Sequence, residues 1–398
     1  MRQSSAAAAR TIAIAMTETR LRALVPNKST DPDLLSNRSH ALRVEQVVTG
    51  NQAASRGDVA AHVKESWHRC VSRFGLHPDQ RAPVAIITGG DLRVRRQRCG
   101  VLLTIARVEM ARLVRLLNAP VGVMLTDDEG VILGYEGSDS FADVAHRSGL
   151  REGAVWSEAR QGTNGMGTCL TLGKAVLIDT DEHFLSSNTA LTSCGAPVRN
   201  SGGTVVGALN ISGHLHLSAA PTLALVRLAV QNIENRTQLE EHRRHRLLRF
   251  HPHRECIGSA GEGILAIDDS GRIAGANMDA LAWLGAPDHR TVCGQPVQDV
   301  LGLDMDRLDA LSREIGLAHP LPKCHLGALF YGILQPPLDA PRQQTNVLVE
   351  TERAALRGTL DRCNWNVSRA ALQLKVSRRT LHRKLKAHGL KRYSSWID

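Results

Sequence analysis

The C-terminal tail constrains the fold of this chain most strongly. Residues 346–398 carry twelve lysines and arginines against four acidic residues, a net charge of +8 in a chain whose formal net charge is +10. The run NVSRAALQLKVSRRTLHRKLKAHGL, residues 366–390, contains seven of these cations and no acid. Charge of one sign over a short run fits a nucleic-acid contact, and a charged solvated helix face is the plainer alternative.

The apolar residues of this run predict two short helices. The first has one apolar side, formed by Val367, Ala370, Ala371 and Leu374. Asn366 or Ser368 is available as its N-cap, Ser377 caps the second helix, and Gly389 supplies a left-handed stop. The second helix directs two leucines inward, one turn apart: Leu381 and Leu385.

The outer face of the second helix is cationic. It carries Arg378, Arg379, His382, Arg383 and Lys386. Two short helices joined by a tight turn, with cations on the second, have the shape that places side chains in a major groove. The tail is therefore predicted to be a helix-turn-helix.

The tail resembles the Fis-type helix-turn-helix at the C-terminus of bacterial enhancer-binding regulators, whose common form reads like NxSRAAxxLGISRRTLYRKL. The resemblance implies that residues 346–363 form the preceding helix, which builds a dimer core in that family. Lys375 stands where the family has its turn glycine, and a positive φ costs a non-glycine residue about 1 kcal/mol.

The resemblance implies DNA contacts for the positions that match the family motif: Ser377, Arg378, Thr380 and Arg383. With the other cations of the tail, the predicted DNA-binding residues fall into two groups. Base edges are assigned to Arg378 and Arg383. Phosphates are assigned to Lys375, Ser377, Thr380, Lys384 and Lys386. Arg379 and His382 complete the predicted DNA-binding surface. Double-stranded DNA is thus the predicted partner of this tail.

Length and cysteine content limit the number of domains and the redox environment that the rest of the chain can have. At 398 residues, two to four domains are expected. The eight cysteines contain no C-x-x-C pair, which favours a reducing cytoplasm over a disulfide framework or a zinc module. No apolar run approaches the roughly 20 residues of a membrane span, so no membrane partner is predicted. Residues 1–55 are interpreted as a mobile or loosely helical segment with no assignable function.

The middle of the chain predicts an α+β sensory domain. Helical spacing covers residues 58–74 and 91–117. Strand-like segments follow at 121–137, around a turn at 127–130, at 175–180, and at 192–213 around a turn at 200–203. Short turns between the strands indicate a mostly antiparallel sheet.

These segments resemble the GAF domain of acetoin-catabolism activators. The match rests on WSEARQGTNGMGTCL (156–170), EHF (182–184) and SCGAPV followed by VGALNISG, while ESWHRCVSRFGLHP (65–78) resembles the N-terminal signature of the same regulators. The resemblance places Trp156, Asn164, His183 and Cys194 around a ligand cavity. Trp156 as a core residue and Asn164 as a turn residue are equal alternatives. The implied partner is a small-molecule effector of unknown identity.

A third module is predicted from the segment EGILAIDDSGRIAGAN, which resembles the opening of a PAS domain, with GALFYGILQPPL (327–338) as its last strand. The predicted fold is therefore multidomain α+β. Its parts are a mobile segment 1–55, a helical region 56–118, a GAF domain 119–220, a signalling helix and linker 221–254, a PAS-like domain 255–336, a linker 337–345 and a helix-turn-helix domain 346–398.

The sequence contains no ATPase signal. In the activator family an ATPase of roughly two hundred residues precedes the helix-turn-helix, and no such length separates residue 336 from residue 346. The string nearest to a phosphate-binding loop, GTCLTLGKA (167–175), has alanine where serine or threonine must hold magnesium. No ATP hydrolysis, cofactor, metal site or catalytic residue is predicted.

Other reactive residues have plainer interpretations. Cys194, with Cys169 in the same module, fits either a redox sensor or a small buried residue. Histidine pairs at 214 and 216 and at 251 and 253 lack a carboxylate or thiolate partner at ligand spacing, so solvent exposure is the simpler interpretation.

The combined prediction is a cytoplasmic, ligand-responsive transcription regulator that binds specific DNA sequences as a homodimer, with RNA polymerase as a further partner. Two alternatives remain open. One is a sequence-indifferent DNA-bending protein of the nucleoid, and the other is a redox enzyme built on the GAF module.

Overall fold

A computed structural model describes residues 32–50, 59–80, 83–214, 219–314, 316–322, 329–338, 347–363, 365–388 and 390 of the chain. The chain divides into two units, Met1–Pro336 and Pro337–Asp398. The first unit contains two β-sheets with their helices, and the second is helical.

Among the described residues, four helices precede the first sheet: α1 (Pro32–Thr49), α2 (Ala61–Ser72), α3 (Gly89–Arg98) and α4 (Gly100–Leu117). The helix predicted over 91–117 is interrupted at Cys99, whose ψ of 20° departs from helical geometry. The prediction for 1–55 allowed a helix, and α1 is one, but it is packed rather than loose, because its Val44 is fully buried against α2 and the domain that follows. Residues 1–31 lie outside the described part of the chain.

The first sheet has five antiparallel strands in the order β2-β1-β5-β4-β3. They are β1 (Val121–Asp127), β2 (Ile132–Gly137), β3 (Val176–Ile178), β4 (Leu191–Arg199) and β5 (Val205–His214). Both predicted hairpins are confirmed. Asn200 holds the second turn, since its Oδ1 accepts hydrogen bonds from the backbone N–H groups of Gly202 and Thr204.

Helices cover both faces of this sheet. The back face packs against α4 and α8 (Ala219–Glu241) in a core that includes Met110, Val123, Ile211 and Val226. The inner face lies beneath α7 (Gly165–Leu172), which follows α5 (Ala142–Ser148) and α6 (Glu158–Gln161) in the chain. Because α4 and α8 complete the core, the predicted domain limits of 119–220 exclude part of the domain.

The second sheet is also antiparallel and has the order β8-β7-β6-β10-β9. Its strands are β6 (Arg246–His251), β7 (Gly263–Ile267), β8 (Ile273–Ala276), β9 (His319–Pro320) and β10 (Tyr331–Gln335), and its helices are α9 (Met278–Leu284), α10 (Val297–Leu301) and α11 (Met305–Arg313). The strand expected within 327–338 is confirmed as β10. The linker prediction for 221–254 is wrong at β6, the central strand, where Leu248 and Phe250 are fully buried.

The described part of the second unit contains α12 (Val347–Arg362), α13 (Val367–Gln373) and α14 (Arg378–Ala387). Its core contains the inward residues predicted for the tail, including Ala370, Leu381 and Leu385, together with Leu356 and Leu360 of α12. Most of the predicted linker at 337–345 lies outside the described residues.

Candidate functional site

The helix-turn-helix is fixed by side-chain caps at both helix starts. Asn366 Oδ1 accepts a hydrogen bond from the backbone N–H of Arg369 at 3.1 Å, so Asn366 is the N-cap of α13. Ser377 Oγ accepts one from the backbone N–H of Thr380 at 3.0 Å. Each cap satisfies an N–H group that a helix start leaves without a partner. Both capping predictions are confirmed.

The turn between α13 and α14 passes through Lys375. Its φ of 53° is the left-handed conformation that glycine adopts without cost. The predicted strained turn is therefore confirmed, and the Lys375 side chain is exposed.

The outer side of α14 forms an exposed cationic face. Arg378, Arg379, His382 and Arg383 are exposed, while Leu381 and Leu385 on the opposite side are 0% and 8% exposed. Thr380 is half-buried, and Ser377 is exposed beside Lys375. The Lys386 side chain lies outside the described part of the chain. An amphipathic helix of this kind can present several guanidiniums to a groove at once.

Lys384 departs from the predicted phosphate set. It is half-buried and pairs with Glu352 of α12, whose other carboxylate oxygen lies 3.1 Å from His388 Nε2. The hydrogen bond from Lys384, followed by that with His388, holds the pKa of Glu352 below its usual range. Because its ammonium is engaged inside the unit, Lys384 joins α14 to α12.

The sheet separates the four predicted ligand residues. Cys194 is fully buried in the back-face core with Ala196 and Ile211, beneath α4 and α8. Its neighbour Ser193 points to the inner face, because successive side chains of a strand alternate. The placement of Cys194 around a cavity with the other three is therefore wrong.

Trp156 and Asn164 hold the loop above the inner face. Trp156 is 2% exposed in a cluster with Met124, and its Nε1 donates to the carbonyl of Gly149 at 3.3 Å. Asn164 caps α7 by accepting from Met166 N and Gly167 N, at 3.0 and 2.9 Å. Trp156 is therefore a core residue, as the alternative interpretation expected, while Asn164 is a helix cap rather than a turn residue.

His183 alone of the four predicted residues bonds to polar groups on the inner face. Its Nδ1 lies 3.0 Å from the carbonyl of Thr180, and its Nε2 lies 3.3 Å from Ser193 Oγ. Burial lowers the pKa of His183 to about 4, so the imidazole is neutral near pH 7. A neutral ring donates from one nitrogen and accepts at the other.

A buried ion pair that sequence reasoning missed joins α2 to this loop. Arg69 donates from Nε and Nη2 to the carboxylate of Glu158, at 2.8 and 2.9 Å, and Glu158 is 2% exposed. Ser66 Oγ donates to the same carboxylate at 2.5 Å. These residues are 89 and 92 positions from Glu158, so no local spacing connects them.

The N-terminal helices also form hydrogen bonds to the backbone on both sides of His183. Trp67 of α2 donates from Nε1 to the carbonyl of Glu182 at 2.9 Å, and His40 Nε2 of α1 lies 3.2 Å from the carbonyl of Phe184. The ESWHRC segment is therefore part of the sensor structure.

Neither thiol of the module is activated. Burial raises the pKa values of Cys169 and Cys194 to about 12 each. Among the described residues, no cluster of three or more histidine, cysteine or acidic side chains could hold a metal ion. None of the described helices combines the length and apolar character that a membrane crossing requires.

Comparison with known proteins agrees with this geometry. Residues 101–235 match the family model of the GAF domain, and residues 347–388 match that of bacterial regulatory proteins of the Fis family. The chain carries a GAF domain and a Fis-family helix-turn-helix. The GAF match covers nearly all of α4 and most of α8, in keeping with the core described above.

The chain is homologous to acetoin catabolism regulators. The acetoin catabolism regulatory protein of Cupriavidus necator is 31% identical over 373 residues, covering 86% of this chain and 53% of that protein. The signal-transduction and transcriptional-control protein of Clostridium beijerinckii is 30% identical over 223 residues, covering 56% of this chain and 35% of that protein. The chain thus spans about half the length of the first relative and about a third of the second.

Among solved structures, one chain of the Escherichia coli DhaR(N)–DhaL complex aligns over 100% of its own length with 70% of this chain. The TM-score is 0.44 and the sequence identity is 15%.

Proposed function

We propose that this chain is a ligand-responsive regulator that binds specific sequences of double-stranded DNA. The exposed cationic face of α14, on a capped helix-turn-helix, carries the proposal. Arg378 and Arg383 read base edges, while Lys375 contacts phosphate. The two relatives described above are named as a regulatory protein and a transcriptional-control protein, which supports the same assignment.

Competition in a gel-shift assay tests this proposal. Genomic fragments that the protein selects should resist competition by random duplex of equal length. Equal competition would instead favour the sequence-indifferent nucleoid protein, which binds through phosphates alone.

The proposed regulator acts as a homodimer in the cytoplasm, because a single short recognition helix contacts few base pairs and a two-fold pair doubles them. The back-face helices support this state. They expose apolar side chains that are 39–60% accessible: Val101, Val108 and Leu116 on α4 and Leu228 on α8. Val101 and Val108 are seven residues apart, which is the spacing of apolar residues at the interface between helices of a bundle. Light scattering after gel filtration measures the oligomeric state.

Ligand control is proposed to act through α8. A GAF ligand that favours one arrangement of α4 and α8 between protomers would change the spacing of the two recognition helices. The size of the response equals the difference in ligand affinity between the two arrangements.

RNA polymerase is the proposed downstream partner, and pull-down by the DNA-bound protein tests it.

The second sheet is proposed to be a PAS-like module. Its support is a five-stranded antiparallel sheet whose helices α9 to α11 lie between β8 and β9 in the chain.

An enzymatic role is disfavoured by the high pKa of both buried thiols, Cys169 and Cys194, since the thiolate is the reactive form. DNA binding that survives replacement of Cys169 and Cys194 would agree with this.

A further inference from the structure

The tip of the β4–β5 hairpin contacts the second sheet, which together with its helices we call the second module. The hairpin tip is defined as residues 200–204. The carbonyl of Ser201 accepts a hydrogen bond from the backbone N–H of Ala276 at 3.0 Å, and Ala276 is the last residue of β8. β8 is the edge strand next to β7, and an edge strand leaves backbone groups open on its outer side. The hairpin tip of the GAF domain therefore covers part of the edge of the second sheet.

Two histidines hold the hairpin tip against β8. His242, which follows α8 in the chain, has its Nε2 2.8 Å from Ser201 Oγ. His289 of the second module is 8% exposed, and its Nε2 lies 3.0 Å from the carbonyl of Ala276. A Cβ on Gly203 would lie 2.3 Å from His289 Nδ1, and the φ of Gly203 is 85°. Glycine is required at this position because it allows both the close approach and the positive φ.

Arg199 connects the hairpin tip to the interior of the GAF domain. Its Nη1 donates to the carbonyl of Gly203 at 3.1 Å, and its Nη2 donates to the carbonyl of Gly173 at 2.7 Å. Gly173 is the C-cap of α7, the helix over the inner face of the sheet. The backbone N–H of Arg199 donates to Glu234 Oε1 of α8 at 2.6 Å. Two helices and the hairpin tip therefore meet at one residue.

Buried polar side chains of α8 make a second connection to the second module. Asn235 Nδ2 donates to the carbonyl of Ala260 at 2.9 Å, and Gln238 Nε2 donates to that of Ile264 at 3.3 Å. Asn277, the N-cap of α9, donates from Nδ2 to Asn235 Oδ1 at 2.8 Å. The three side chains are 3–6% exposed. Because a buried polar group that loses its partner is costly, these hydrogen bonds hold α8 in one position on the second module.

We propose that the hairpin tip is a relay through which a structural change in the GAF domain reaches the second module. A displacement of α7 moves the carbonyl of Gly173, and Arg199 transmits the displacement to Gly203. The ring of His289 then moves against Ala276, where β8 leads into α9. The close contact at Gly203 leaves no room for the tip to shift without moving this ring. The relay adds a route to the proposed ligand response but does not depend on it, because the contacts exist in the chain without ligand or DNA.

Two hairpin turns at the same end of the GAF sheet supply a matched pair of variants. Asn200 Oδ1 accepts hydrogen bonds from the backbone N–H groups two and four residues further on, and Asp127 Oδ1 does the same in the β1–β2 turn. The pairing of Asp127 with Gly207 places both turns at one end of the sheet. Asn200→Ala and Asp127→Ala therefore loosen equivalent turns, of which the first belongs to the hairpin tip. Because Asp127 also pairs with Arg95, the control is the stronger perturbation of the two.

Hydrogen exchange of the full chain, measured by mass spectrometry without ligand or DNA, tests the relay. Asn200→Ala should lower protection about two- to tenfold in the hairpin tip and also in β8 and α9. Asp127→Ala should lower protection in the β1–β2 turn and leave β8 and α9 unchanged. Unchanged protection of β8 and α9 in Asn200→Ala, or an equal fall there in both variants, overturns the proposal.

A variant on the other side of the contact gives an independent test, since coupling between two sites is reciprocal. His289→Ala removes the ring from the second module and should lower protection in β4, β5 and the last turn of α7. The matched control is Asp304→Ala, which removes the exposed N-cap of α11 in the same module and should leave the GAF domain unchanged. A loss of protection confined to the second module in His289→Ala overturns the relay. Failure of the unmodified chain to bind DNA would instead refute the proposed regulator and leave the relay standing.

Discussion

Replacing Arg69 by methionine tests the role of α2 in the sensor. The substitution keeps most of the side-chain length but leaves the Glu158 carboxylate 2% exposed without its cation. Removing one partner of a buried pair costs about 3 to 5 kcal/mol, because an uncompensated charge remains. We expect the lower end, about 3 kcal/mol, because the Arg69 side chain is 23% exposed and water screens part of the interaction.

Hydrogen exchange read by mass spectrometry measures this loss locally, which suits a chain of several domains. A loss of about 3 kcal/mol corresponds to a fall in protection of about a hundredfold, since 1.4 kcal/mol is tenfold. The fall should appear in α2 and in the segment around Glu158. The matched control is Arg73→Met at the exposed end of the same helix, which should change protection little.

The double variant separates charge from packing. Adding Glu158→Gln to Arg69→Met removes the stranded charge, so protection should recover part of its loss. Full protection in Arg69→Met, or a double variant as unprotected as the sum of the singles, would refute the ion-pair account.

Further predictions concern the tail, the dimer and pH. Arg378→Ala should relax sequence preference and cost about 1 to 3 kcal/mol in DNA binding, measured by titration against specific and random duplex. Lys375→Gly should stabilise the turn by about 1 kcal/mol while weakening all duplexes alike, measured by unfolding and by the salt slope. Val108→Glu should yield monomers in light scattering, whereas Val94→Glu on α3, an equally exposed valine outside the proposed seam, should leave the dimer intact. Burial raises the pKa of Glu234 from 4.5 to about 7. The contribution of this carboxyl to stability is therefore present below pH 4.5 and is lost as pH rises to about 7. Glu234→Gln should flatten this pH dependence of the free energy of unfolding.

The tail was predictable because its determinants are local. Asn366 and Ser377 each cap a helix within three residues, and the inward leucines recur one turn apart. The Lys384 ion pair was not predictable, because its partner Glu352 lies 32 residues away on another helix. Charge on a helix shows that a residue is polar, but its partner depends on how the helices pack.

The sensor site was only partly predictable, and strand alternation explains the main error. Along β4, Cys194 shares its parity with Ala196 and Val198, all of which face the back core, while Ser193 has the opposite parity. Reading that alternation from the sequence would have excluded Cys194 and selected Ser193. The position of Asn210 on the inner face depends on cross-strand pairing with Gly195, which a single sequence does not display.

The two faces of one strand offer a physical route from ligand to dimer. Asn210 of β5 lies on the inner face, where its amide donates to Ser212, while its neighbour Ile211 lies in the back-face core with Val226 of α8. A ligand that displaces β5 by a fraction of an ångström must therefore repack the surface against which α8 rests, because protein cores are close-packed. Proximity alone does not establish coupling, which requires two arrangements with different ligand affinities. A double-mutant cycle between Asn210→Leu and Val226→Ala, read as the free energy of unfolding, measures the coupling between the two faces, and additive effects would show that the faces are not coupled through β5.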